Sequence, residues 1–150
     1  MKKALFLKTK HIGDSVILNS AISALPADFV VDVLCFKDSE PIFKMCPRVQ
    51  NVFVVPRHLQ GLQRIKEYLK IIVAMKSRNY DLLAQFSDDW RGAFLSRFLD
   101  IKTSVARFPK KRPNFWKKSF KQIAKVTLTP RPAAEQDVDC LLYTSPSPRD

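Results

Sequence analysis

Short apolar runs of strand length alternate with longer stretches of helical spacing, and this alternation restricts the chain to an α/β fold more firmly than any other feature. Ala4–Lys8 reads as a buried strand, Asp14–Leu25 as a helix stopped by Pro26, and Val30–Phe36 as the next strand. Ser39–Met45 spells a short helix and Asn51–Val55 a strand with a proline brake at Pro56. In the long helix expected over Leu59–Arg78, Leu62, Ile65, Leu69, Ile72 and Met75 recur every three or four residues, a stripe expected to be core. Asp81–Ser87 adds a strand, Trp90–Leu99 a helix and Thr103–Phe108 a last strand. Alternation of this kind predicts a parallel sheet with helices on both faces.

The 150 residues, 46% of them hydrophobic, suffice for one domain with one substantial core. Charge is the unusual quantity: 26 Lys and Arg oppose 14 Asp and Glu, a formal net charge of +12. Such an excess suits an anionic partner, whether nucleic acid, an acidic membrane surface or a phosphorylated substrate. The N-terminal MKKALFLK is interrupted at Lys8, too early for a secretory core or a membrane span, and reads as the first strand of a cytoplasmic protein. Cys35, Cys46 and Cys140 lack metal-site spacing and fit reduced thiols, with Cys35 in the core.

In open parallel sheets, ligands bind beyond the carboxyl ends of strands, next to the point where strand order reverses. The corner after the first strand, KTKHIGDSVIL, is therefore where a site is expected. Gly13 allows a special backbone conformation or a close ligand approach. Asp14 stands at the expected N-cap, where it either caps the helix or serves as a base. Lys8, Lys10 and His11 are either ordinary exposed loop residues or cations grouped at a helix N-terminus to hold an anion. With Gly13, Gly61 and Gly92 as the only glycines, neither the dinucleotide fingerprint nor the P-loop can be written.

A second corner, SDDWRG, follows the strand at Asp81–Ser87. Asp88 or Asp89 caps the next helix, or Trp90 and Arg91 meet a ligand, ring to sugar face and guanidinium to carboxylate or phosphate. Beyond the last strand, Ile101 to Ala134 carries ten Lys or Arg and no acid. There RFPKKRPNFWKKSFKQIAKV predicts a helix from Phe115 to Val126, capped by Asn114, with Lys117, Lys118, Lys121 and Lys125 on one face and Trp116, Phe120 and Ile123 on another. This helix either lies on an anionic membrane or packs its aromatic face on its own domain. Arg107, Lys110, Lys111 and Arg112 would form a positive lip near the cleft.

KTKHIGDSVILNSAISALP, VDVLCFKDSEPIF and NYDLLAQFSDDWRGAFLSRFLDIKTSVARF together resemble the heptosyltransferases of lipopolysaccharide core synthesis, glycosyltransferase family nine, most closely the heptosyltransferase III branch. The resemblance runs from Lys3 to about Asp139. It implies the N-terminal, acceptor-side, Rossmann-like half of a two-domain GT-B enzyme that transfers heptose from ADP-heptose to the inner core with inversion. Asp14 matches the family's catalytic aspartate. The implied donor, ADP-heptose, is held chiefly by a C-terminal domain absent from this chain, so the fragment alone is expected to be inactive. A lipopolysaccharide acceptor, a cytoplasmic location peripheral to the inner membrane, a monomer, no nucleic acid, no metal and no tightly bound cofactor complete the expectation.

Residues 140–150, CLLYTSPSPRD, change composition abruptly and show neither period. They resemble a translated reading frame of a sequencing adapter, so the domain is expected to occupy residues 1–139 and the tail to be non-native; the other reading is an authentic Ser/Pro-rich tail. Two further functions compete with the transferase. One is a non-catalytic module binding nucleic acid or an acidic membrane through the cationic, aromatic stretch; the other is a different two-domain sugar-nucleotide enzyme.

Overall fold

Lys2–Lys8 (β1) sends Ala4 and Phe6 to one side and Leu5 and Leu7 to the other, and all four are fully buried. A strand apolar on both faces belongs in the middle of a covered parallel sheet. β1 takes that place in the computed structural model, which describes residues 1–9, 12–87, 89–107, 113–124, 138 and 141. It pairs in parallel with β2 (Phe29–Cys35) on one edge and β4 (Leu82–Gln85) on the other. With β3 (Val49–Val54), β5 (Thr103–Arg107) and β6 (Gln122–Ala124), all pairings parallel, the order is β3-β2-β1-β4-β5-β6. The reversal of order falls between β1 and β4, so the first strand borders it.

Helices cover both faces. On one, α1 (Ile12–Ala24) and α2 (Glu40–Lys44) bury Leu18, Ile22 and Phe43 against Ala4, Phe6, Val33 and Phe86. Cys35 lies in this core, where burial first and the charge of Glu40 second push its thiol up to about 12. Leu141 packs into the same cluster. On the other face, α3 (Gly61–Arg78), α4 (Arg91–Phe98) and α5 (Asn114–Lys118) bury Met75, Ala93, Leu95 and Trp116 against Leu5, Leu7 and Leu83. Local chemistry sets the ends: Arg48 donates to the carbonyls of Ile22 (2.7 Å), Leu25 (2.8 Å) and Pro26 (2.7 Å) at the end of α1, and Asn79 closes α3 in the left-handed conformation at φ 53°.

Two expectations are corrected. The stripe read as core on α3 is buried only at its C-terminal end: Met75 is fully buried and Ile72 partly, whereas Leu62, Ile65 and Leu69 are 76%, 55% and 56% exposed. The face that packs is Tyr68, Ile71, Ile72 and Met75, rotated from the one anticipated, and the first turns of α3 bury nothing.

The helix expected over Phe115–Val126 is also cut short in its described part. α5 ends at Lys118, its N-cap is Pro113 rather than Asn114, and Gln122–Ala124 joins the sheet beside β5. Spacing misled here because Trp116, Phe120 and Ile123 mimic a helical stripe. The Ser119 carbonyl accepts from Ser96 Oγ at 2.7 Å, and the Lys121 N–H donates to Ser104 Oγ at 3.0 Å, which draws the chain onto the open edge of β5. Trp116 and Phe120 do pack on their own domain, buried, with ring centroids 4.8 Å apart and planes tilted by 53°. Lys125 and Val126 lie outside the described residues.

Candidate functional site

The carboxyl ends of β1, β4 and β5 stand side by side, because these strands are sheet neighbours and all run the same way. Two strand spacings, about 10 Å in all, separate the first from the third. Lys8, the Gln85–Arg91 corner and Arg107 therefore share one edge of the domain.

Asp14 is the third residue of α1, in its first turn and half-buried, so it is not the N-cap that its sequence context suggested. A carboxylate in the first turn is favoured by the positive end of the helix, which fixes its backbone rigidly beside the mouth of the sheet. Gly13 precedes it on the helix, exposed, with nothing within 4 Å of where a β-carbon would stand. Its backbone is not left-handed, which removes the conformational reason for glycine; the open space beside it is what this position offers. Lys8 is not an exposed loop residue: it belongs to β1, is 4% exposed, and its ammonium lies 3.5 Å from the Phe86 carbonyl. Lys10, His11, Asp88, Lys110, Lys111 and Arg112 lie outside the described residues.

The second corner is organised around Asp89, a residue that spacing offered only as a cap. The N-cap of α4 is Trp90, without a side-chain cap, and the Asp89 carboxylate, one residue earlier, accepts the Arg91 backbone N–H at 3.0 Å. It also accepts from Gln85 Nε2 at 3.2 Å, from Arg91 Nη1 at 3.1 Å, and from the hydroxyl of Thr9, which sits 3.0 Å from Ser87 Oγ. Its carbonyl accepts from Gln85 Nε2 and from Trp116 Nε1, both at 2.8 Å. Thr9 and Asp89 thereby join the two corners across the β1–β4 junction. No spacing in the sequence could have paired them.

Arg91 is consequently tied down on the protein. Burial works against its charge, but the Tyr68 hydroxyl, 3.3 Å from Nε, and the Asp89 carboxylate outweigh burial and raise its pKa. Trp90 is 37% exposed, its ring tilted against that of Phe115 at 6.1 Å between centroids. Both residues line a groove of ≈ 540 Å³ between α3 and α4, walled by Tyr68, Ile72, Phe94 and Phe98. This groove opens on the sheet face opposite α1, so the two predicted binding residues and Asp14 look onto different spaces. Arg107 ends β5, half-buried. Among the described residues no cluster of His, Cys, Asp or Glu is built to hold a metal ion, and no helix is long and apolar enough to cross a membrane.

No family model matches the chain. It is 26% identical over 122 residues to lipopolysaccharide heptosyltransferase 3 of Escherichia coli K12, covering 78% of this chain and 36% of the relative, and thus spans about a third of that protein's length. The crystal structure of the glycosyl transferase family 9 from Veillonella parvula shares its fold at a TM-score of 0.76 and 12% identity, over 95% of this chain and 41% of that one. The E. coli heptosyltransferase WaaC with ADP does so at 0.77 and 16%, over 94% and 47%. Sequence and fold agree: the chain resembles the lipopolysaccharide heptosyltransferases of glycosyltransferase family nine over one part of their length.

Proposed function

We propose that this chain is the acceptor-side domain of an inverting heptosyltransferase that uses ADP-heptose and acts on the lipopolysaccharide inner core at the cytoplasmic side of the inner membrane. The observation that carries the reading is Asp14, half-buried in the first turn of α1, beside the β1–β4 reversal and the open space at Gly13. The likeness to heptosyltransferase 3 and to a WaaC structure with ADP supports the substrate class. The donor would be held mainly by a domain corresponding to the length of the relatives that this chain does not span.

In this reading the Asp14 carboxylate takes the proton from an acceptor hydroxyl as that oxygen attacks the anomeric carbon from the side opposite the leaving group. The new C–O bond forms as the bond to ADP breaks, ADP departs with the electron pair, and the configuration inverts. A base on a helix end is held within the narrow range of position that such a transfer needs. Buried Lys8 adds positive charge behind the corner; Lys10 and His11 are assigned to substrate binding, and Arg107, Lys110, Lys111 and Arg112 to the acidic sugars and phosphates of the acceptor.

The test is a chimaera in which residues 1–139 replace the matched segment of E. coli lipopolysaccharide heptosyltransferase 3. Transfer from ADP-heptose is expected, and Asp14→Asn should lower turnover by about 10²- to 10⁴-fold with ADP binding unchanged. Undiminished turnover in Asp14→Asn removes the base assignment. As a check independent of the chimaera, the chain itself should bind inner-core oligosaccharide saturably and lose it on Arg112→Glu; tighter, strongly salt-dependent binding of generic RNA or DNA would favour the nucleic-acid module instead.

A further inference from the structure

α3 and α4 leave a large apolar surface uncovered. Leu62, Ile65, Leu69 and Val73 follow one another along α3, 55% to 76% exposed, and Phe94 and Phe98 of α4 are 51% and 63% exposed. The α3 residues extend over about 16 Å at 1.5 Å per residue. Both helices wall one groove, α3 through Tyr68, Ile71, Ile72 and Met75, and Ile65 and Leu69 stand three residues before Tyr68 and Ile72, so the exposed row borders that groove. Exposed apolar area of this extent on a small domain marks a surface that meets something.

Charge says what. Of the cations on these helices, Arg78 is paired with Asp32, Lys70 with Glu67 and Arg91 with Asp89, which leaves Arg64, Lys66, Lys76 and Arg97 without an acidic partner among the described residues. Lys66 stands four residues after Leu62 and three before Leu69, and Lys76 three after Val73, so these exposed ammonium groups flank the apolar row. Trp90, partly exposed, lines the bordering groove from the corner before α4. Apolar side chains bordered by lysine with an aromatic at the edge are the pattern of a helix lying in a lipid interface. Two copies meeting through this face would bring like charges together.

We infer that the α3–α4 face, not the basic stretch after β5, is where this domain seats on an anionic lipid bilayer. The inference rests on the transferase reading only for the reason a membrane is present. Vesicle binding is measured without donor or acceptor, so its failure would leave that reading standing.

The chain is expected to sediment with phosphatidylglycerol/phosphatidylethanolamine vesicles far more than with phosphatidylcholine vesicles, less so as salt rises, with a blue shift of Trp90 emission. Lys66→Glu and Lys76→Glu should each weaken binding by about fivefold or more. Leu62→Asp/Leu69→Asp/Phe94→Asp, at exposed positions and checked by circular dichroism, should abolish it. Full vesicle binding by the triple variant overturns the inference. So does equal binding to phosphatidylcholine vesicles, absence of vesicle binding by the parent chain, or self-association without vesicle binding that Leu69→Asp removes.

Discussion

Gly92 lies against Gln85 so closely that a β-carbon on the glycine would stand 1.6 Å from Gln85 Oε1. Gln85 has little freedom to retreat, being 1% exposed and holding Asp89 through Nε2. The start of α4 can settle at the end of β4 only because residue 92 has no side chain.

Gly92→Ala should accordingly destabilise the domain by about 1 to 3 kcal/mol, measured by urea unfolding, despite the better helix propensity of alanine. In a Gln85→Ala background the sign should reverse, leaving Gly92→Ala neutral or stabilising. An unchanged cost in that background would show that the clash is not the cause.

Asp32 is a buried carboxylate in the middle of β2 with donors on every side. It accepts from Arg78 Nε at 2.8 Å, from the Tyr80 hydroxyl at 2.6 Å, and from both the backbone and side-chain N–H of Asn51 at 3.1 Å. Removing one side of a buried ion pair leaves the other uncompensated, so Asp32→Ala should cost about 3 to 5 kcal/mol. A loss below about 1 kcal/mol in chemical denaturation would contradict this account.

Arg48 gathers the last carbonyls of α1 in its planar fork. Lysine keeps the charge but not the fork, so Arg48→Lys should retain less than half of the stability lost in Arg48→Ala, itself about 1 to 3 kcal/mol. Equal stability of Arg48→Lys and the parent would assign the effect to charge alone.

Stability should fall on the alkaline side, through Cys35 and Tyr80. Burial raises both, and for Tyr80 the hydrogen bond to Asp32 adds to it. A folded pKa above the unfolded one gives stability that is complete below the unfolded value and lost as pH climbs toward the folded value. For Cys35 that window runs from 9.0 to about 12. By pH 10 the thiol alone should account for roughly 1 kcal/mol, a loss that Cys35→Ala should not show. Parallel pH profiles for the parent and Cys35→Ala would refute the assignment.

Most of the architecture was legible because β1, β2 and β4 are apolar runs and the helices between them carry clear breaks: Pro26 ends the first, and Asn79 follows the third. Periodicity reports which residues of a helix are apolar, not which of them find a neighbour, and so the row at Leu62, Ile65 and Leu69 was misplaced into the core. It failed again at Trp116, Phe120 and Ile123, where a hydrogen bond donated by Ser96 and one accepted by Ser104 redirect the backbone. Asp14 could be singled out because its corner follows a strand that had to be central. Asp89 was visible only as a local cap, since its principal partners come from Thr9 and Trp116, far away along the chain.

The link from Thr9 to Asp89 spans 80 positions. During synthesis the first corner must therefore wait, half assembled, until the ribosome has released the second, and Trp116 must follow before the Asp89 carbonyl is held. Nascent chains stopped before α4 should keep the first helix and strand yet lack a finished ligand-facing edge, making the site one of the late events in folding rather than a nucleus for it.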